Sequence, residues 1–329
     1  MADLSGIITP SALHYERHHA GIPDIDPAAH RLLIHGDVAR PLKFSIEDLK
    51  RLPQTHRICF IECSGHSYRE WEGPGGDNVQ QTHGLTSCSD WAGVRLATVL
   101  SEVGISDSAS WVIAEGADGA AMTRSIPLQK CLDDVLLAYS QNGEALRPEQ
   151  GYPLRLVVPG YEGSISVKWL RRLKITDTPY YSREETSKYT DLMPDGKARE
   201  FSLTMEAKSV ITTPSASQHV TAGQFNQIRG LAWSGRGKIA RVEVSTDAGQ
   251  TWQEAKLQGP VLPVCHTRFV FDWRWNGKAT VIMSRCTDDT GYRQPTREAL
   301  IARRGARSFY HYNAIQQWRI EADGSVHNV

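Results

Sequence analysis

Short apolar runs, each closed by polar or turn-forming residues, dominate the first half of the chain. Such runs predict β-strands where apolar side chains alternate or lie side by side over about four to eight positions. The segments that meet this pattern are residues 31–36, 57–61, 111–114 and 154–158. Strands spaced this widely leave room for helices and loops between them, so the first half is predicted to be a mixed α/β domain.

Two segments predict helices, and one predicts a long loop. Ser45 is a typical N-cap, and Asp48 takes the acidic position of a capping box, so a helix is expected from residue 45. Residues 90–103 place apolar side chains at helical spacing. Residues 64–90 contain several glycines and little periodicity, and a loop this long in a compact domain is usually functional or disordered.

The pattern changes near residue 190. Residues 181–217 are polar and predict a connector, and from about residue 219 alternating strands and turns follow one another, as at 239–244 and 279–285. Closely spaced short strands are typical of an immunoglobulin-like β-sandwich. We therefore predict an α+β protein with domains at 1–190 and 191–329, the second domain being a scaffold or association module because it lacks a cluster of His, Cys and Asp.

The charge balance narrows the classes of partner. The 329 residues include 37 Lys and Arg and 37 Asp and Glu, so the net charge is zero, which argues against nucleic acid or an anionic membrane as the main partner. No apolar stretch approaches the roughly 20 residues of a membrane-spanning helix. Residues 1–10 have neither the basic nor the apolar region of an export signal, so a soluble chain without a visible signal is expected.

Among six cysteines, Cys63 is the most informative. It follows the predicted strand 57–61 and opens a glycine-containing loop, where a scaffold presents reactive or metal-binding side chains. A small buried apolar residue remains the alternative. The cysteine spacing contains no CxxC pair and no CxxCH haem motif, so structural zinc and covalent haem are disfavoured. Cys59 is interpreted as a small buried apolar residue, and Cys88, Cys131, Cys265 and Cys286 as structural or free thiols.

Cationic side chains occur at three places. Residues 14–19 contain three histidines and Arg17, which indicates either a solvated tail or an anion clamp. Arg155 lies within an apolar strand, so it needs either an internal carboxylate or a bound phosphate as its partner. Arg303, Arg304 and Arg307 are interpreted as a solvated surface, with a partner-binding patch as the alternative.

Three segments in this order and spacing resemble the sulfite oxidase family of molybdenum enzymes, and within it the SoxC-type molybdenum subunits of sulfane dehydrogenase. The segments are Ile61-Glu62-Cys63-Ser64-Gly65, the run from Gly151 to Gly160, and Val167-Lys168-Trp169-Leu170. The resemblance extends over nearly the whole chain. It implies a molybdenum–molybdopterin domain followed by an immunoglobulin-like dimerisation domain.

The resemblance also implies roles for particular residues. Cys63 matches the thiolate that ligates molybdenum, a soft ligand suited to this metal. Arg17 and Tyr189 match side chains that bind the substrate. The positions that match residues around the pterin and its phosphate are Tyr15, Glu16, Arg17, His18, His19, Asp118, Gln150, Arg155, Ser166, Val167 and Lys168. His66 and Gln150 depart from the family pattern, which often has Asn and His at these positions.

The implied reaction is oxygen-atom transfer to a sulfur compound, either sulfite or a carrier-bound sulfane. The cofactor supplies the redox chemistry. Because the chain carries no haem motif, the electrons are expected to pass to a separate partner, which the resemblance implies is a c-type cytochrome. A molybdopterin reductase of the same fold, acting on sulfoxides, is the alternative. The resemblance further implies a homodimer and a periplasmic location, with the cytoplasm as the alternative location.

Overall fold

A computed structural model describes residues 1, 3–305 and 308–329. Among them, six short α-helices and many strands alternate, as expected for the predicted mixed fold. The helices are α1 (Ile46–Lys50), α2 (Val79–His83), α3 (Leu96–Val103), α4 (Leu128–Asp133), α5 (Arg183–Lys188) and α6 (Arg297–Arg304). None of the helices in the described part of the chain combines the length and apolar character needed to cross a membrane.

The strands of the described residues fall into five sheets. They are β1 (Leu32–Gly36), β2 (Leu42–Phe44), β3 (Gln54–Glu62), β4 (Thr86–Arg95), β5 (Trp111–Gly116), β6 (Thr123–Pro127), β7 (Leu136–Gln141), β8 (Glu144–Ala145), β9 (Arg155–Val157), β10 (Leu170–Thr176), β11 (Asp191–Leu192), β12 (Ala198–Arg199), β13 (Lys208–Thr213), β14 (Phe225–Trp233), β15 (Ile239–Ser245), β16 (Gln253–Glu254), β17 (Lys256–Gln258), β18 (Thr267–Arg274), β19 (Thr280–Asp288), β20 (Gln317–Ile320) and β21 (Val326–Asn328).

The chain divides into two compact units that are not continuous in sequence. One unit contains Met1–Thr9, Glu62–Cys88 and Asp191–Val329, and the other contains Pro10–Ile61 and Ser89–Thr190. We refer to them as the C-terminal unit and the N-terminal unit. The sequence predicts a single division near residue 190, whereas the structure also places the segment 62–88 with the C-terminal residues. The chain passes between the units within β3 and within β4.

In the N-terminal unit, a five-stranded sheet has the order β2-β1-β10-β5-β6. Strands β1 and β10 are parallel, and the other neighbours are antiparallel. A second sheet has the order β3-β4-β7-β8, with β9 paired to β7. All three residues of β9 are buried, Arg155 among them, so the Arg155 side chain is held inside the unit.

In the C-terminal unit, two antiparallel sheets pack face to face. Their orders are β13-β14-β18-β17 and β16-β15-β19-β20-β21. The hydroxyl oxygens of Ser209 on β13 and Ser284 on β19 lie 3.0 Å apart, and the indole of Trp318 on β20 donates to the carbonyl of Ile211 on β13. The predicted β-sandwich and the α+β class are therefore confirmed.

Several predicted elements differ from the structure in type or extent. The predicted helix at 90–103 is a strand up to Arg95 and a helix only from Leu96. Gly93 explains the strand, because a side chain there would collide with the carbonyl of Leu137 on the paired strand β7. The predicted loop 64–90 contains α2 and the start of β4, and the predicted connector 181–217 contains α5 and β13.

Candidate functional site

Cys63 lies in a tight turn directly after β3 in the C-terminal unit. Its backbone N–H donates to the carbonyl of Leu85 at 3.0 Å, and its carbonyl accepts from the N–H of His66 at 2.8 Å. Cys63 is partly exposed, whereas the other five cysteines are buried. A Cβ at Gly65 would lie 3.7 Å from the Cys63 sulfur and 3.2 Å from a ring carbon of Tyr310. Glycine at position 65 therefore keeps space open beside the sulfur.

A buried polar network surrounds this turn. The carboxylate of Glu62 accepts from Nδ1 of His66 at 2.8 Å and from the indole N–H of Trp233 at 2.7 Å, and the Lys208 ammonium lies 3.6 Å from it. Lys208 also donates to the hydroxyl of Ser67 and to the carbonyl of Tyr312. The side chains of Glu62, His66 and Lys208 are each about 1% exposed. The turn is thus fixed by side chains on both sides of Cys63.

Electrostatics in this network favour an ionised Glu62 and a neutral His66. Burial opposes ionisation of Glu62, yet the Lys208 charge and the bond from His66 hold the pKa of Glu62 below its ordinary value. Burial, together with the Lys208 charge, lowers the pKa of His66 to about 4. Burial also lowers the pKa of Lys208, and the nearby Glu62 opposes that shift. At neutral pH, His66 is therefore an uncharged hydrogen-bond donor to Glu62.

Two features of this network were not expected from the sequence. Lys208 and Trp233 come from the C-terminal β-strands, for which the sequence predicts a scaffold or association module. Lys208 is flanked by Ala207 and Ser209 in sequence, so no apolar run marks it in the way that one marks Arg155. His66, one of the departures from the family pattern, stacks on Trp233 with an interplanar angle of 1° and a centroid distance of 5.9 Å. Its Nε2 and that of His83 are buried without a hydrogen-bond partner among the described residues.

In the N-terminal unit, Arg155 is a buried cation whose partners are all neutral. Its guanidinium donates to the carbonyl and side-chain oxygens of Gln150 at 3.0 and 3.3 Å, and to the carbonyl of Ser166 at 3.1 Å. Within the described ranges, no carboxylate lies within 4.0 Å of it. Burial lowers the pKa of Arg155 to about 10, which still leaves it charged at neutral pH. Of the two predicted partners, the internal carboxylate is therefore wrong.

Lys168 adds a second cation to the same cluster. Its ammonium donates to Nδ1 of His18 at 2.7 Å and to the carbonyls of Arg17 and Glu149 at 3.2 and 2.9 Å. Burial, with a further contribution from the Arg155 charge, lowers the pKa of Lys168 to about 7. A bound anion would restore the charged form, because it would favour the protonated ammonium.

The segment that carries His14 and Arg17 lies against this cluster. The Gln150 amide donates to the carbonyl of Tyr15 at 3.2 Å. His14 is buried against Trp91, and its Nε2 has no hydrogen-bond partner among the described residues. Burial and the Arg155 charge lower the pKa of His14 to about 3, so the ring is neutral. The predicted solvated tail is thus wrong for His14, although Glu16, Arg17 and His19 are exposed.

The remaining predicted residues of this unit occupy distinct places. Ser166 and Val167 directly precede Lys168 in the chain, and both are buried. The Ser166 hydroxyl accepts a hydrogen bond from the N–H of Val158. Asp118 is buried in the turn after β5, where its carboxylate accepts from the N–H of Met122 at 3.0 Å. Tyr189 is buried at the C-terminal end of α5, with the Arg124 guanidinium 4.1 Å from its ring centre.

The predicted solvated arginine surface near the C-terminus is wrong for Arg304. Its side chain is 2% exposed and pairs with Asp191 at 3.0 Å and Glu206 at 3.5 Å. Arg303 is partly exposed and also pairs with Glu206. Arg307 lies outside the described residues. Arg304 therefore holds α6 to the segment that opens the C-terminal domain.

Two family models and several known proteins are similar to this chain. Residues 19–184 match the family model described as an oxidoreductase molybdopterin binding domain, and residues 199–318 match the Mo-co oxidoreductase dimerisation domain. The crystal structure of the sulfane dehydrogenase SoxCD from Paracoccus pantotrophus is similar, with 48% identity and a TM-score of 0.97. That match covers all of this chain and 85% of the other.

Curated relatives are more distant. Mitochondrial sulfite oxidase of Mus musculus is 35% identical over 88% of this chain and 58% of its own length. A nitrate reductase of Hordeum vulgare is 32% identical over 82% of this chain and 33% of its own length. The chain thus spans little more than half the length of the sulfite oxidases that it matches.

Proposed function

Because the chain belongs to the sulfite oxidase family of molybdopterin oxidoreductases, we propose that it oxidises a sulfur compound by oxygen-atom transfer. Membership of this family confirms the predicted family resemblance and the molybdenum–molybdopterin cofactor. Of the two predicted substrates, we favour carrier-bound sulfane sulfur over sulfite. The support is that the relative matched over all of this chain, at 48% identity, is named a sulfane dehydrogenase.

Cys63 fits the role of a metal ligand. A thiolate is a soft ligand, and its affinity for a metal depends on access as well as on chemistry. Cys63 is the partly exposed cysteine, and Gly65 keeps open space beside its sulfur. When bound, the molybdenum cofactor supplies the two-electron redox chemistry and the transferable oxygen.

The cluster of Arg155 and Lys168 fits the anionic part of the pterin. The observation that carries this proposal is the buried Arg155 guanidinium, whose partners in the described structure are all neutral oxygens. A buried charge of this kind is costly unless a counter-ion binds it. A phosphate supplies that counter-ion, and arginine recognises phosphate through charge-assisted hydrogen bonds. The unpartnered Nε2 of buried His14 offers a further polar contact for a ligand.

Arg17 and Tyr189 are proposed to act on the substrate. Arg17 is exposed, and one guanidinium nitrogen is held by the carbonyl of His18 at 2.6 Å, which leaves the remaining donors for an anion. Arginine presents those donors in a rigid fork that suits a sulfur oxyanion. Tyr189 would contribute through its hydroxyl, as its match to the family pattern implies. Glu16, His18, His19, Asp118, Gln150, Ser166 and Val167 are proposed to complete the surroundings of the pterin.

The electrons are proposed to pass to a separate c-type cytochrome, a proposal that rests on the similarity to the sulfane dehydrogenase SoxCD. A homodimer is proposed as well, and it is supported by the dimerisation-domain model that matches residues 199–318. We propose a periplasmic location on the family resemblance alone. The mass of the protein in solution tests the homodimer, and cell fractionation tests the periplasmic location.

A substrate panel on molybdenum-loaded protein tests the function. We expect oxidation of protein-bound sulfane sulfur, with cytochrome c as acceptor, to exceed oxidation of sulfite. Because nitrate reductases are among the relatives, the panel includes nitrate and a sulfoxide with a reduced donor. Faster turnover in that reductive direction than with any sulfur donor would contradict the proposal.

Two cysteine variants extend this panel, one at the proposed ligand and one at a buried thiol that serves as its control. Cys63→Ser removes the proposed ligand and is expected to lower turnover by at least about 100-fold, a loss of about 2.7 kcal/mol in transition-state stabilisation. Cys131→Ala removes a buried thiol of α4 and is expected to retain turnover within about threefold. Equal turnover in the two variants would show that Cys63 is not essential to the reaction.

A further inference from the structure

Two strands of the C-terminal β-sandwich hold the turn that carries Cys63. Lys208 opens β13 and Trp233 closes β14, and the two residues are directly opposite each other in the antiparallel pair. Their side chains converge on Glu62, the residue before Cys63. The sandwich therefore contacts the backbone segment of the proposed metal ligand through one carboxylate.

Trp233 contacts the turn at both of its ends. Its indole N–H donates to Oε2 of Glu62 at 2.7 Å, and its ring lies parallel to the imidazole of His66. Glu62 and His66 bond to each other across the turn at 2.8 Å. One fully buried side chain thus restrains the residue before Cys63 and the residue three positions after it.

The composition of this contact indicates a function beyond packing. A buried ion pair is often no more stabilising than apolar residues of the same volume, because both charges lose their hydration. Hydrogen bonds, however, restrict distance and direction, so a fully bonded network fixes the geometry of the group it holds. Here the Glu62 carboxylate accepts hydrogen bonds from the side chains of His66 and Trp233. Lys208 donates hydrogen bonds to the hydroxyl of Ser67 and to the carbonyl of Tyr312.

We propose that Trp233, Glu62 and Lys208 are positioning residues that set the orientation of the Cys63 thiolate toward its metal. On this account the C-terminal sandwich, whose family model describes a dimerisation domain, also controls the ligand geometry of the cofactor. The inference rests on the proposed function, since it takes Cys63 as the metal ligand. It adds residues to which neither the sequence pattern nor the family descriptions assign a role.

Two tryptophans of the same unit provide a matched test. Trp233 and Trp318 are both fully buried, and each donates one indole hydrogen bond, to Glu62 at 2.7 Å and to the carbonyl of Ile211 at 3.0 Å. Trp233→Phe and Trp318→Phe remove the same donor and a similar volume. Only the first change removes a bond to the Cys63 turn.

The first readout is the reactivity of Cys63 in full-length protein produced without the cofactor. A maleimide is expected to label Cys63 selectively, because the other five cysteines are buried. Loss of one hydrogen bond is expected to raise the labelling rate in Trp233→Phe by about three- to tenfold. Trp318→Phe is expected to label at the wild-type rate. Equal rates in the two variants would overturn the proposal.

The second readout is the spectrum of the loaded protein. We expect Trp233→Phe to shift the thiolate-to-molybdenum absorption band and the Mo(V) electron paramagnetic resonance signal, while Trp318→Phe leaves both unchanged. Glu62→Gln, which keeps the shape of the side chain and removes its charge, is expected to shift them in the same way. An unshifted spectrum in both Trp233→Phe and Glu62→Gln would also overturn the proposal.

The failure of this inference is distinguishable from the failure of the proposed function. If the absorption band of the wild-type protein persists in Cys63→Ser, then Cys63 is not the metal ligand and the proposed function loses its central residue. If the band disappears in Cys63→Ser and yet is the same in wild type, Trp233→Phe and Glu62→Gln, the ligand assignment stands and the positioning role is wrong. Should Trp233→Phe not fold, Glu62→Gln carries both comparisons.

Discussion

Two buried arginines of the N-terminal unit differ in the groups that balance their charge. Arg124 lies between the carboxylates of Glu162 and Glu185, so its partners belong to the protein. Arg155 is equally enclosed but bonds only to neutral oxygens in the described structure. At the scale of single residues, this difference separates an arginine that stabilises the fold from one that is proposed to bind an anionic ligand.

Replacing Arg155 tests that distinction. Arg155→Gln removes the charge without leaving a carboxylate unpaired, so we expect cofactor affinity to fall by at least about tenfold, which corresponds to about 1.4 kcal/mol. The molybdenum content of purified protein measures this loss. Arg147→Gln, which removes a half-exposed arginine paired with Glu144, serves as the control and is expected to retain its molybdenum. Equal molybdenum content in both variants would contradict the assigned role of Arg155.

Sequence patterns identify individual residues when the chemical signal is local. The sequence predicts that Arg155 needs an anion because it interrupts an apolar strand, and no carboxylate in the described part of the chain pairs with it. Lys208 carries no such local signal, and its partner, Glu62, is distant in the chain and is brought near only by folding. The contact between Trp233 and His66 has the same origin, so no spacing rule reveals it.

At the scale of elements, specific polar contacts stabilise the short helix α5. Helix α5 has six residues, too few to be stable alone. Ser182 and Glu185 form a capping box at its start, and Glu185 also accepts from the backbone and hydroxyl of Ser125. The Arg124 charge lies against Glu185 and the ring of Tyr189, which fixes the end of the helix that carries the proposed substrate tyrosine.

Arg124→Gln is therefore expected to destabilise the N-terminal unit. It would leave two buried carboxylates without their cation, and breaking a buried ion pair in this way costs roughly 3–5 kcal/mol. Urea unfolding measures the change, and hydrogen exchange of the α5 amides locates it. Arg183→Gln, at an exposed arginine of the same helix, is expected to change stability by less than about 1 kcal/mol. A similar effect of the two changes would refute the role of Arg124.

Elements with clear local chemistry were predicted well. The capping box of Ser45 and Asp48 begins α1 as expected, and the strand at 31–36 corresponds to β1. The error at 90–103 arose because apolar residues at helical spacing also occur in a strand buried on both faces. The close contact of Gly93 with the neighbouring strand, which decides between the two structures, depends on tertiary pairing.

At the scale of the whole molecule, the boundary between domains in sequence differs from the division in space. Composition indicates one change near residue 190, and the family models divide the chain between residues 184 and 199. The structure nevertheless groups Glu62–Cys88, with the proposed metal ligand, together with the C-terminal sandwich. A composition shift reports where the type of secondary structure changes, and it carries no information about a buried ion pair formed by distant residues.

The proposed bond between the Cys63 sulfur and molybdenum is open to direct measurement. X-ray absorption at the molybdenum edge counts the sulfur ligands directly, and the two dithiolene sulfurs of the pterin provide an internal reference. We expect three sulfur ligands in the wild-type protein and two in Cys63→Ser loaded with the same cofactor. A count of three in both proteins, or of two in both, would contradict it.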